Sequence, residues 1–142
     1  MILTGVQALL REIPGMDRAV GIAATVEDCQ AEQNNLPRHL WICEAQGTAE
    51  PSEIAGSQFM RQCREQRFSI AAMVQDSTDR TGAAALEQME ILLDLVYARL
   101  LGQTPADGYD PLQYVADKCV LRAPPKLYWL VQFQSGNTLQ NW

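Results

Sequence analysis

Phe68-Ser69-Ile70-Ala71-Ala72-Met73-Val74 lies at the head of the stretch that decides the fold, which runs from Gln66 to Phe133. Phe68, Ile70, Ala72 and Val74 alternate with Arg67, Ser69, Ala71 and Met73, the period of a half-buried β-strand. Asp76 to Gly82 is a turn, where Ser77, Thr78, Asp79 and Thr81 offer side-chain oxygens for a helix N-cap. A helix follows, from about Arg80 to Leu101. Leu86, Met89, Leu93, Val96 and Leu100 form its apolar stripe, and Glu87, Glu90 and Asp94 lie off it. Gly102 fits its C-terminal stop, and its length is about 30 Å. Gln103 to Pro111 reads as a loop. Tyr114–Arg122 and Leu127–Gln134 read as strands around Ala123-Pro124-Pro125, with Leu127, Trp129, Val131 and Phe133 on one face. The order strand, helix, strand, strand predicts an α+β fold. Its antiparallel sheet of about four strands packs against a long central helix and an N-terminal helix.

The flanks complete that plan. Ile2, Val6, Leu9, Leu10 and Ile13 recur at helical spacing, and Pro14-Gly15 ends the helix. Arg18–Ala24 suits a short strand and Val26–Gln33 a polar helical turn. Leu40-Trp41-Ile42-Cys43 reads as a strand buried on both faces. Gln46–Ser57, punctuated by Gly47, Pro51 and Gly56, reads as a loop joining this strand to the next. Extending the Phe68 strand backward gives Arg61, Gln62, Arg64, Glu65 and Gln66, polar on both faces. Such a strand end is either a solvated hairpin tip or a surface made for a neighbour. Residues 1–135 read as one α+β domain, and residues 136–142 as a loose tail.

Composition bounds the function. The chain has 142 residues, 47% apolar and 20% charged, which is ordinary for one globular domain. No apolar run spans a bilayer, so no membrane partner is expected. Met1-Ile2-Leu3-Thr4 carries no basic or long apolar leader, so the chain is expected to be made and kept in a cytoplasm, at least until assembly. A net charge of −6 argues against a nucleic-acid binder. The charge is uneven. Acids dominate from Asp76 to Asp117, whereas Lys118, Arg122 and Lys126 face no acid thereafter. That asymmetry suits either a solvated surface or head-to-tail stacking of copies.

No catalytic pattern interrupts the fold, and an enzyme is not expected. The single histidine, His39, reads as a surface or strand-end residue. Cys29, Cys43, Cys63 and Cys119 form no C-x-x-C pair, so no zinc site is expected. Cys43 and Cys119 read as buried small hydrophobes. Cys63, between Arg61 and Arg64, has no nearby base. Gly82 has no phosphate-cradling loop around it. Asp76 and Asp79 suit helix capping, and Asp107 and Asp110 suit a turn. No metal and no cofactor are expected.

Several pieces then fall into a known order. A first helix contains Val6-Gln7-Ala8-Leu9-Leu10-Arg11. The Phe68–Val74 strand leads to Asp79-Arg80-Thr81-Gly82 at the opening of the helix. The helix closes in Ala98-Arg99-Leu100-Leu101-Gly102, with Pro105 beyond it. Tyr109-Asp110-Pro111-Leu112-Gln113-Tyr114 and the aromatic strand Leu127-Tyr128-Trp129-Leu130-Val131-Gln132-Phe133 complete the set. Over residues 1–135 this resembles the tail terminator (minor tail) proteins of long-tailed bacteriophages, although Gln103 stands where that family often has Trp.

The resemblance implies a virion protein at the head-proximal end of the tail. It implies a homo-oligomeric ring, expected to be hexameric, that stops tube polymerisation and offers a face for head-tail joining. Its partners would be copies of itself, the tail tube protein and a head-completion or connector protein. Genomic DNA would pass its lumen without specific binding. The alternatives are another phage neck or tail-completion subunit, or a non-catalytic binding module. Loops near a dozen residues long are more often functional than idle. Ile54, Arg61, Arg64 and Tyr109 are therefore the expected interface residues, with the two arginines pairing with acids of the tube or of an adjacent subunit.

Overall fold

A computed structural model of the chain describes residues 2–32, 36–49, 51, 60–76 and 81–140. The elements run α1 (Ile2–Arg11), β1 (Val20–Ile22), α2 (Val26–Ala31), β2 (Arg38–Ala49), β3 (Arg61–Gln75), α3 (Ala83–Leu100), β4 (Gln113–Ala123) and β5 (Lys126–Gln140). The sheet has five strands in the order β1-β2-β3-β5-β4 rather than about four. It is mixed: β1 pairs parallel to β2, and the other neighbours are antiparallel.

Helices cover both faces of the sheet. On one face α1 and α3 lie over Leu40, Ile42, Phe68, Ile70, Ala72, Val74, Leu127, Val131 and Phe133. From α3, the side chains Met89, Leu92, Leu93, Val96 and Leu100 are buried there. On the other face α2 closes a smaller cluster of Val26, Cys29, Trp41, Cys43, Ala71, Met73 and Tyr128. This is why Leu40–Cys43 is apolar at every position: successive side chains feed two cores. In the smaller core the Cys29 Sγ–H donates to the Thr25 carbonyl at 3.3 Å. The Cys43 thiol is pushed above the ordinary thiol range by its contact with Cys29 and by burial.

Several expectations need correction. α3 covers eighteen residues, shorter than the Arg80–Leu101 span. Gly82 takes the N-cap position with φ 88°. The Thr81 hydroxyl accepts from the Ala83 N–H at 3.3 Å, while Ser77, Thr78 and Asp79 lie outside the described residues. Leu86 is 51% exposed, because the buried stripe follows Ala85, Met89 and Leu92 instead. Cys119 is exposed, on the edge strand β4. Gln46–Ala49, read as loop, continues β2 and pairs with Arg64–Arg67 of β3. Residues 136–140, read as a loose tail, complete β5 and pair with Arg61–Glu65. Apart from Leu139 these residues are small or polar and carry no periodic signal, and the pairing comes from backbone register.

His39 stands at the start of β2, a strand-end residue as expected, but it is not on the surface. It is only 5% exposed, with its ring 4.2 Å from that of Trp41. Burial lowers its pKa below the usual 6.5, offset in part by the Glu32 carboxylate and a backbone hydrogen bond to Leu40. The folded chain therefore resists a proton that the unfolded chain takes up. The stability this gives is complete above the unfolded value and is lost as pH falls below it. We expect the urea midpoint to fall between about pH 7 and about pH 5, and to fall less in His39→Gln. Equal slopes in the two proteins would remove His39 from the titration.

Candidate assembly surfaces

Beyond Arg67 the sheet leaves its helical cover and continues as a three-stranded arm. Its strands are Gln46–Ala49 of β2, Arg61–Gln66 of β3 and the end of β5. At about 3.3 Å per residue the β3 portion reaches roughly 20 Å. The arm begins at a bulge. The register shifts between Cys43 and Gln46, where Glu44 adopts φ 52°, and an extra residue on one strand bends it.

The loop after α3 holds the base of the arm. Tyr109 bridges to Asn137, and the Asp110 N–H donates to the Gly136 carbonyl at 2.8 Å. The Ser135 hydroxyl donates to the Asp110 carbonyl at 2.7 Å. With its amide turned to suit both neighbours, Gln66 donates to the Tyr109 hydroxyl at 3.2 Å and accepts from the Arg64 guanidinium at 2.9 and 3.0 Å. Arg64 lies across Gly47, where a Cβ would come within 2.6 Å of its guanidinium. Arg67 pairs with Glu65 at 2.9 Å. An open concavity of about 320 Å3 remains between the arm and this loop, lined by Thr48, Cys63, Glu65, Asp110 and Gln134 among others.

The structure thus brings together Arg64 and Tyr109, two of the four expected interface residues, through Gln66. Both are half-buried. Arg61 stands exposed at the far end of β3, opposite Gln140. Ile54 lies outside the described residues. Sequence reasoning missed Gln66 and the docking of the 103–112 loop on the arm. An isolated glutamine in a polar run gives no signal of either.

β4 is the second surface. It forms one edge of the sheet, and Tyr114, Val120 and Leu121 expose apolar area along it. Such an edge offers backbone donors and acceptors to another chain. The opposite edge, β1, has three residues and differs from β4 in length and in pairing direction. Among the described residues no group of three His, Cys, Asp or Glu could hold a metal ion. No described helix is long and apolar enough to cross a membrane.

Two unlike sheet edges and a projecting polar arm are surfaces open to other chains. The chain belongs to the phage tail terminator family: the model of that family, "Phage tail terminator protein", matches residues 4–141. This is the family that the sequence resembles. A solved chain from the "Virion of native gene transfer agent (GTA) particle" superposes with a TM-score of 0.63 at 12% identity, over 97% of this chain and 92% of that one. At that identity the likeness is one of fold. No curated relative matches the chain. Family membership makes this a structural phage tail protein.

Proposed function

We propose that this chain is the subunit of a closed ring, hexameric, on the head-proximal end of the tail tube. The ring ends tube growth, gives head-completion proteins a surface for joining, and acts without catalysis. The observation that carries this reading, beside family membership, is the pair of unlike edges. A contact between two different faces of one subunit makes either a ring or a filament, depending on closure. The overall charge of −6 also suits a lumen through which DNA slides without sticking. Subunits would be made in the host cytoplasm and assemble there on the finished tube.

In this reading the β2–β3 arm, with Arg61, Arg64, Tyr109 and the connection containing Ile54, meets the tube or an adjacent subunit. The test is tail length by electron microscopy. Particles made without this chain should carry tails longer than normal and fail to join heads. Replacing the connection between Pro51 and Met60 by a short Gly-Ser link should give the same defect, while circular dichroism of the purified variant stays unchanged. Tails of normal length joined to heads in the first case would overturn the terminator reading. The same result in the second case alone would remove the arm from docking. Labelling of the chain elsewhere along the tail would favour a different neck or tail-completion role.

A further inference from the structure

α3 and the β4–β5 pair enclose an open groove of about 350 Å3. Met89, Leu93 and the half-buried Trp129 ring form its apolar base, and Leu86 stands at its lip. Tyr97 lines it too, with Tyr114 edge-on behind, the ring centroids 5.6 Å apart at 90°. One carboxylate is fixed in the wall. Asp117 Oδ2 accepts from Trp129 Nε1–H at 2.7 Å, and Asp117 Oδ1 accepts from the Tyr114 hydroxyl. Glu90 and Asp94, four positions apart on α3, expose two further carboxylates along the groove.

Among the described residues none of these three carboxylates has an ion-pair partner; the pairs formed there are Arg67–Glu65 and Arg99–Glu12. Like charges four apart on a helix repel one another. Their field is felt inside the groove. The Tyr97 hydroxyl is pushed up to about 12, first by burial and then by Asp117, Tyr114 and Asp94.

An aromatic wall with unpaired carboxylates at its lip is complementary to a cation on an apolar stem. A phosphate-bearing ligand is excluded by the same charges. A guanidinium fits better than an ammonium, because its plane stacks on an aromatic face while its fork donates to carboxylates. We propose that this groove receives an arginine side chain, flanked by an apolar residue, from a partner protein. Leu86 and Leu93 meet the apolar neighbour, Trp129 and Tyr97 meet the guanidinium plane, and Glu90 and Asp94 take its hydrogen bonds. Asp117 is a positioning residue that holds the two rings. The site stands whether or not the chain closes a ring.

The probe is an acetylated, amidated Leu-Arg-Leu peptide titrated into the full 15N-labelled chain. The readout is the Trp129 indole N–H resonance, assigned by its loss in Trp129→Phe. A saturable shift is expected, with Glu90→Gln/Asp94→Asn weakening the peptide about tenfold. Both positions are solvent-exposed, so that variant folds normally. The proposal is overturned if the resonance does not move, if Leu-Glu-Leu moves it equally, or if the double variant binds unchanged. An equal response to Leu-Lys-Leu would replace arginine specificity with a general cation site. A shift that grows with protein concentration in the absence of peptide would assign the groove to a second copy instead.

Discussion

Phe68→Ala should lower the free energy of unfolding by about 3–5 kcal/mol, the usual cost of emptying a buried aromatic position. Phe68 is 0% exposed and is paired in register with Phe133, their rings stacked at 6.0 Å and 16°. It is also the last core side chain of β3 before the arm begins. Phe133 in turn touches Tyr97 and Tyr114 at 6.4 Å each, so truncation leaves a void under several rigid rings that cannot collapse into it. Against a total of about 5–15 kcal/mol for a domain, such a loss is close to unfolding. Urea denaturation measures it, with Phe68→Leu as the control that keeps most of the volume. A loss under about 1 kcal/mol would mean that the site closes up and that the pair does not anchor the sheet.

Gly5→Ala should destabilise the chain by about 1–3 kcal/mol or more, the cost of overpacking. Inside an unencumbered helix the same change would stabilise by about 0.5–1 kcal/mol. The reversal of sign is the test. A Cβ at Gly5 would sit 1.8 Å from the Pro105 carbonyl oxygen, an impossible separation. That oxygen cannot retreat freely, because its loop is tied by Gly102 N–H to the Leu112 carbonyl at 3.1 Å and by Leu112 N–H to the Gln103 carbonyl at 2.9 Å. A thermal midpoint equal to or above that of the parent chain would show that α1 and the loop separate readily.

Much of the core was legible because its elements obey one period each. α3 follows Met89, Leu93, Val96 and Leu100. The Phe68, Ile70, Ala72, Val74 face of β3 was read correctly, but the strand is buried on both faces rather than one, because Ala71 and Met73 enter the smaller core. Leu86 broke the pattern because it extends the stripe by spacing, whereas the buried face of α3 runs through Ala85, Met89 and Leu92. β2 defeats periodic reading for a different reason. Leu40 and Ile42 face the α1–α3 side, but after the bulge at Glu44 the register places Gly47 and Ala49 beside Gln66 and Arg64 on that side. The parity of the strand has flipped, and an alternation that starts at Trp41 cannot be carried across. The arm was half legible. Arg61–Gln66 was visible as a strand polar on both faces, whereas Gln46–Ala49 and 136–140 were not visible at all. Their pairing is a matter of backbone hydrogen bonds between small and polar residues, which leave no hydrophobic signature. The groove beside Trp129 was hidden because its acids come from separate elements, Glu90 and Asp94 from α3 and Asp117 from β4.

The base of the arm is held largely by its own main chain. The Asp110 N–H to Gly136 carbonyl bond, the Tyr109–Asn137 bridge and the ladders to β2 and β5 need no particular side chain to form. Shape and chemistry are thereby separated. If the arm docks as proposed, substitutions along its outward positions would alter what it recognises while leaving where it points nearly untouched. Two lineages can then drift apart at almost every position and still present the same silhouette. The fold is shared, at 12% identity, with the gene transfer agent particle chain. Partner choice in a protein built this way is free to evolve faster than architecture.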